Sequence, residues 1–306
     1  MGIRQLGERL ITVAKTKREA RLAAAREALA AQRRAEARRK RLRNAGIAVG
    51  TVLVVVAVLV VVKLTASPAK STPTTSAAAD VVQKVTTVPA ATFDTVGKGT
   101  VSNPPVPISG QPALTAGGKP LVLYVGGEFC PYCAAERWAL VSALSRFGTF
   151  ANLKQAASSP TDVFPNTQTL SFFGSTYTSD LISFQGVEAE DVDQKPLQQL
   201  TPEQQANFTK YDAPPYTSSD ARGSFPFVNF GNIALQIGAS YDPTVLAGKS
   251  GTDIAAALHD PNSAIAKGAI GSANAFTAAI CAMTGNKPAD VCNSPGVAAY
   301  AGKYGG

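Results

Sequence analysis

Two cysteines three positions apart, Cys130 and Cys133, stand between a short apolar run and a helix-forming run, and few folds accommodate that order. Upstream, residues 119–125 read Lys-Pro-Leu-Val-Leu-Tyr-Val, the pattern of a fully buried strand, and Gly126 and Gly127 end it. Downstream, residues 134–147 carry good helix formers. At a 3.6-residue period Cys133, Leu140, Leu144 and Phe147 fall on one face. Strand, tight turn and helix therefore meet at the cysteines. Cys130 falls at the helix start, where unpaired backbone N–H groups and the positive end of the helix dipole favour a thiolate. Pro131 suits the first helical position. Tyr132, between the cysteines, is expected near the surface, where it can tune thiolate stability and touch a substrate. Cys133, one turn in on the apolar face, is shielded as a resolving thiol should be.

The rest of the composition narrows the chemistry. With one histidine, His259, in 306 residues, a His-rich metal site or a Ser-His-Asp arrangement has little to work with. A Cys-x-x-Cys is also half of a zinc site, which would draw two more ligands from Cys281, Cys292 or His259. It can also be an inert structural disulfide. Placement between a buried strand and a helix suits redox chemistry best, and no metal or cofactor is expected. Cys281 and Cys292 enclose a short loop with Gly285 and Pro288 and read as a structural disulfide, which suits an oxidising compartment. A second dithiol relaying electrons to Cys130 and Cys133 is the other reading. Trp138 reads as core, and His259 at a helix end has no catalytic role.

Charge is concentrated at one end. Residues 1–44 hold 14 Lys and Arg against 4 Glu, whereas the remainder holds 15 basic and 17 acidic residues. The high pI thus describes a basic arm, and nucleic-acid binding by the folded part is not expected. Residues 45–62 are uncharged and Val-rich, long enough to span a bilayer if Lys63 snorkels. The preceding positive charge puts the N-terminus in the cytoplasm and the rest outside, as a single-pass cell-membrane protein. A cleaved signal peptide is the rival, but the basic region is long and no small-residue cleavage site follows closely. The expected organisation is a basic cytoplasmic helical arm (1–44), a transmembrane helix (45–62), a flexible Ser/Thr/Pro/Ala linker (63–79), an extracytoplasmic domain (80–295) and a C-terminal tail (296–306).

Within the domain, residues 169–173 and 181–184 read as two strands. Thr201 and Pro202 open a helix running to about Lys210. Residues 222–237 contain Gly-Ser-Phe-Pro, then two alternating apolar runs around Gly231-Asn232, a two-residue hairpin signal. Pro226 stands where a strand's first residue can do without its N–H. Residues 253–259 and 263–283 read as helices, with Cys292 in the turn beyond Pro288.

A strand, Phe-Cys-Pro-Tyr-Cys and helix, followed by Phe-Pro before a hairpin and a helix, resembles the thioredoxin superfamily. The resemblance implies an attacking Cys130, a resolving Cys133 and a cis-proline at Pro226, with Phe225 before it. A cis-proline there would expose the Phe225 backbone as an edge for an extended substrate; a trans proline opening an edge strand is the plainer alternative. More narrowly, residues 128–138 (Glu-Phe-Cys-Pro-Tyr-Cys-Ala-Ala-Glu-Arg-Trp) and Arg-Phe-Gly-Thr-Phe at 146–150 resemble an actinobacterial membrane-anchored thioredoxin-like family known as domain of unknown function 929. Cys133 and Pro226 are far apart in sequence, so an insertion is expected between the active-site helix and the cis-proline hairpin.

The expected fold is α/β, a thioredoxin-like core with that insertion, preceded by one transmembrane helix. The expected function is a thiol–disulfide oxidoreductase. Cys130 and Cys133 are catalytic, and Pro131, Tyr132, Phe225 and Pro226 bind substrate. Its partners are thiols or disulfides of exported proteins, a membrane redox partner, and the bilayer through residues 45–62. The alternative is a non-catalytic envelope binding module stapled by two disulfides.

Overall fold

The computed structural model describes residues 74–304 of the chain; the basic arm, the expected span at 45–62 and residues 63–73 lie outside them. Its centre is strand β3 (Lys119–Gly126), buried from Leu121 onward. Because successive side chains point to opposite faces, β3 feeds two cores. Val122 and Tyr124 enter the larger one with Trp138, Leu144, Ile270 and Phe276. Leu121, Leu123 and Val125 enter the smaller one with Tyr211, Phe227 and Leu235. The sheet is therefore covered on both faces.

The sheet also contains β1 (Val106–Pro107), β2 (Thr115–Ala116), β8 (Ser183–Glu188), β9 (Phe227–Phe230) and β10 (Ala234–Ile237). From β8 the order is β8-β3-β9-β10-β1, with β2 pairing the start of β3. β8 runs parallel to β3, Leu121 opposite Ser183. β9 runs antiparallel to β3, Val122 opposite Phe230. The β9–β10 hairpin has three loop residues, because Phe230 pairs with Ala234 and leaves Ile233 in the loop beside Gly231 and Asn232. Both Gly231 and Asn232 have the positive φ that a tight turn needs.

Helices α1 (Thr74–Thr86), α2 (Ala90–Val96), α3 (Pro131–Leu144), α5 (Gly251–Ala257) and α6 (Ala264–Thr284) contribute to the larger core, and α4 (Pro202–Tyr211) to the smaller. Starts are well marked. Thr201 and Gln204 form a capping box on α4, as Ser250 and Asp253 do on α5. Ser263 caps α6, and Gly285 ends it in the left-handed conformation. Among the described residues only α6 is long and apolar enough to cross a membrane, and 83% of its apolar window is buried inside the fold, the mark of a core helix.

Between α3 and β8 the segment expected as an insertion holds four short strands. β4 (Thr149–Ala151) pairs with β7 (Thr176–Thr178), and β5 (Lys154–Ala157) with β6 (Gln168–Ser171). The two expected strands here are displaced, to Gln168–Ser171 and Ser183–Glu188, and they join different sheets. Phe150, Phe172, Tyr177 and Phe184 pack as one aromatic cluster, with ring centroids 4.9–6.1 Å apart. Long-range ring packing of that kind leaves no local period.

Both ends of the domain differ from expectation. Helix α1 starts at Thr74, inside the expected 63–79 linker, because Val81 and Val85 are drawn fully into the core. At the other end α7 (Ala289–Cys292) holds Cys292 on a helix, disulfide-bonded to Cys281. The expected tail at 296–306 includes most of α8 (Pro295–Ala298), and Val297, Tyr300 and Tyr304 are buried against the larger core. Deleting residues 296–306 should therefore cost roughly 3 kcal/mol or more, the burial of several large side chains, measured by denaturant unfolding. An unchanged midpoint would mean that these residues contribute nothing to the core.

Candidate active site

Cys130 is the N-cap of α3. Its backbone is extended (φ −77°, ψ 120°), and its Sγ accepts a hydrogen bond from the Cys133 amide at 3.2 Å. The thiol thus occupies the place where a Ser or Asp side chain would satisfy an orphan helix N–H. Pro131 follows at a position whose own N–H would be unpaired in any case. Cys130 is 5% exposed and Cys133 not at all. Both are free thiols.

The opposite wall comes from a distant segment. Phe225 lies just before β9, the Phe225–Pro226 bond is cis, and the Phe225 carbonyl oxygen is 3.9 Å from Cys130 Sγ. The Gly238 amide donates to the Pro226 carbonyl, which ties the end of β10 to the same corner. Tyr132 is 40% exposed, and its ring meets Phe164 of the insertion edge-on at 5.8 Å. An open groove of about 460 Å³ is lined by Tyr132 and Phe225 together with Ala239 and Tyr241 of the loop after β10. Pro131, Tyr132, Phe225 and Pro226 are therefore gathered around the two thiols. Cys281 and Cys292 line a different cavity, with Tyr300 and Tyr304. Among the described residues no group of three His, Cys, Asp or Glu side chains converges as a metal site.

The two thiols are electrostatically unlike. The hydrogen bond from the Cys133 thiol, then the Cys133 amide, Arg137 and the Tyr132 amide, lower the Cys130 pKa against the opposing effect of burial. Burial pushes Cys133 well above its ordinary value, and the hydrogen bond and charge of Cys130 add to this. The ionised form is thus favoured at Cys130 relative to an ordinary thiol, and the protonated form at Cys133.

Behind the cysteines lies an arrangement that the sequence reading did not identify. Arg137, one turn beyond Cys133, donates to both carboxylate oxygens of Glu188, Nε to Oε1 at 2.8 Å and Nη2 to Oε2 at 2.6 Å. Nη2 also donates to the Gly127 carbonyl at 2.8 Å. Neither side chain of the pair is exposed. Its neighbour Glu136 is equally buried, and its Oε2 accepts from the Ser240 amide at 3.0 Å and the Ser240 hydroxyl at 2.7 Å. The available signal was Glu136-Arg137 standing mid-way in an otherwise apolar helix. That pattern says that partners must exist but not which ones.

Two outcomes follow from these charges. Glu188→Gln leaves a buried guanidinium without its counterion, so it should cost about 3–5 kcal/mol in unfolding free energy. The unbalanced positive charge should also draw the Cys130 pKa further down, read by ultraviolet thiolate absorbance. Burial raises the Glu136 pKa from 4.5 to about 8, outweighing the Ser240 hydrogen bonds. The folded state therefore holds the proton more tightly than the unfolded one. This contribution to stability is whole below about pH 4.5 and is lost as the pH rises to about 8. The slope is roughly 1.4 kcal/mol per pH unit within that window. Glu136→Gln should remove this part of the slope in unfolding measured across pH; an identical slope in the variant would mean that Glu136 does not titrate in the window.

Searches of curated proteins and of solved structures each found no match. A family model described as a domain of unknown function, DUF929, matches residues 105–282. That span is more than half of the chain and runs from β1 to the last turn of α6, taking in both cysteines of the site, the four short strands, the cis Phe225–Pro226 corner and the buried Arg137–Glu188 pair. The chain belongs to the DUF929 family.

Proposed function

We propose that this chain is a thiol–disulfide oxidoreductase built on a thioredoxin-like core. The observation that carries the reading is the juxtaposition of a helix-capping Cys130 with the carbonyl of Phe225, which precedes a cis-proline. The strand order β8-β3-β9-β10 supports it, as do the parallel β3–β8 pair joined through α3 and the α3 and α6 helices sharing one core.

In the reducing direction the Cys130 thiolate attacks one sulfur of a substrate disulfide, and the second substrate sulfur leaves as a thiolate. Cys133 then loses its proton to solvent or to the departing sulfur and attacks Cys130 Sγ. The remaining substrate thiolate is released and a Cys130–Cys133 disulfide is left. Two electrons pass from the cysteine pair to the substrate. Run backwards, the same steps oxidise a substrate dithiol. Substrate presented in the groove beside Tyr132 reaches Cys130, while Cys133 stays behind it.

The charge asymmetry of residues 1–62 supports a single-pass anchor with the N-terminus in the cytoplasm and the domain outside, facing cysteines of exported proteins and a membrane redox partner.

Cys130→Ser should abolish thiol–disulfide exchange by the purified chain. Cys133→Ser should keep the first step but fail to resolve it, so that mixed disulfides accumulate on non-reducing gels. Full exchange by the Cys130→Ser variant would overturn the assignment. Thiol-specific labelling of intact cells with an impermeant reagent should reach Cys130 after mild reduction; protection until lysis would overturn the placement outside.

A further inference from the structure

The groove beside Cys130 has one wall made by the loop that follows β10. Gly238, Ala239, Tyr241 and Asp242 of this loop line it. The loop is held at the Ser240 carbonyl by the amides of Ser102, itself a groove residue, and Asn103, which both donate to it at 3.1 Å. The Asn103 side chain also donates to the carbonyls of Ile237 and Ala239. Its other holder is a carboxyl group. Glu136 Oε2 takes both the amide and the hydroxyl of Ser240, while its Oε1, fully buried, has no partner. The next residue repeats the link, since Tyr241 donates its hydroxyl to the Ala135 carbonyl at 2.9 Å. Ala135 and Glu136 both lie on α3, whose first turn carries Cys130 and Cys133.

We propose that Glu136 is a positioning residue that fixes the distance between the active-site helix and the groove wall at 238–242, and so sets how well an extended polypeptide is presented to Cys130. This deepens the oxidoreductase reading and rests on it. The argument is one of cost. A carboxyl group sealed from water needs compensation, and one unpartnered oxygen is a further penalty. An apolar side chain would fill the same space more cheaply. What it would not do is answer two donors of a single loop residue at once. Holding that residue at its carbonyl and its amide leaves the wall little freedom, and misplacement of a bound segment by even about an ångström is enough to lower rates a hundredfold. Burial also keeps Glu136 in its neutral form at neutral pH. A glutamine should therefore replace it, because its carbonyl can take both Ser240 donors.

The test compares two disulfide probes on the reduced full chain. One is hydroxyethyl disulfide, too small to touch the groove wall. The other is a short peptide joined through a central cysteine to glutathione. The readout is the ratio of their second-order rate constants, peptide over small. In Glu136→Leu this ratio should fall roughly tenfold or more, in Ser240→Ala it should fall less, and in Glu136→Gln it should stay near the wild-type value. Ser240→Ala keeps the hydrogen bond that its backbone N–H donates to Glu136 and deletes only a hydroxyl, so it serves if the leucine variant does not fold. A wild-type ratio in both Glu136→Leu and Ser240→Ala would overturn the proposal, as would a loss in Glu136→Gln equal to that in Glu136→Leu.

If the wild-type chain exchanges with neither probe, the oxidoreductase reading fails. The positioning role is then decided by amide hydrogen exchange at Ser240 and Tyr241. Exchange should be roughly tenfold or more faster in Ser240→Ala than in wild type and unchanged in Glu136→Gln; equal rates in all three would overturn it.

Discussion

Arg137 and Glu188 meet through two hydrogen bonds with no part of either side chain reaching solvent. Taking both charges out of water costs several kcal/mol per ion, and only near-ideal geometry with the remaining groups satisfied offsets it. Here the guanidinium is also bonded to the Gly127 carbonyl, and the Phe172 amide donates to Glu188 Oε1 at 3.3 Å. One buried pair thus joins the turn before Cys130, helix α3, the end of β8 and the insertion. The rest of the site is arranged around that junction.

Because α3 is buried along almost its whole length, the charged and ring N–H groups it carries draw partners from other elements, although Glu136 Oε1 and Arg137 Nη1 stay unpartnered. Glu188 answers Arg137, Ser240 answers Glu136, and the Gln168 carbonyl accepts from Trp138 at 2.9 Å. These partners come from β8, from the loop after β10 and from the insertion. The bonds to Ser240 also hold the loop whose neighbouring residues line the groove. The insertion participates directly. Thr169 donates to the Ala134 carbonyl, the Ser159 amide donates to the Phe129 carbonyl, and Phe164 meets Tyr132. The four short strands are thereby built into the surroundings of Cys130.

The difference between the two thiols has the same origin. Both see the charge of Arg137, yet Cys130 sits at the helix start with backbone and thiol donors directed at it, whereas at Cys133 full burial and the neighbouring Cys130 outweigh the one backbone bond from Gly127. Position along a single helical turn separates a thiol whose pKa is lowered from one whose pKa is raised.

The local features were legible. The strand read at 119–125 and the helix read from the cysteines to Phe147 follow from an apolar run, a glycine stop, a proline at the helix start and a helical period, the structure placing them at Lys119–Gly126 and Pro131–Leu144, and the cap at Thr201 comes from short-range chemistry. The pairing of Cys281 with Cys292 is likewise a matter of near neighbours. What the sequence by itself determined about this protein was therefore the elements whose reasons lie within a few residues, including the cysteine-bearing helix start. Only the tertiary structure decided that the strands around 168–171 and 183–188 join different sheets, that Tyr300 and Tyr304 belong to the core, and that Glu188 and Ser240 serve Arg137 and Glu136. Aromatic packing and buried charge pairing have no period and no fixed spacing. Their partners are selected when two cores close on opposite faces of one sheet and force each buried polar group to find whatever donor or acceptor the fold brings within reach.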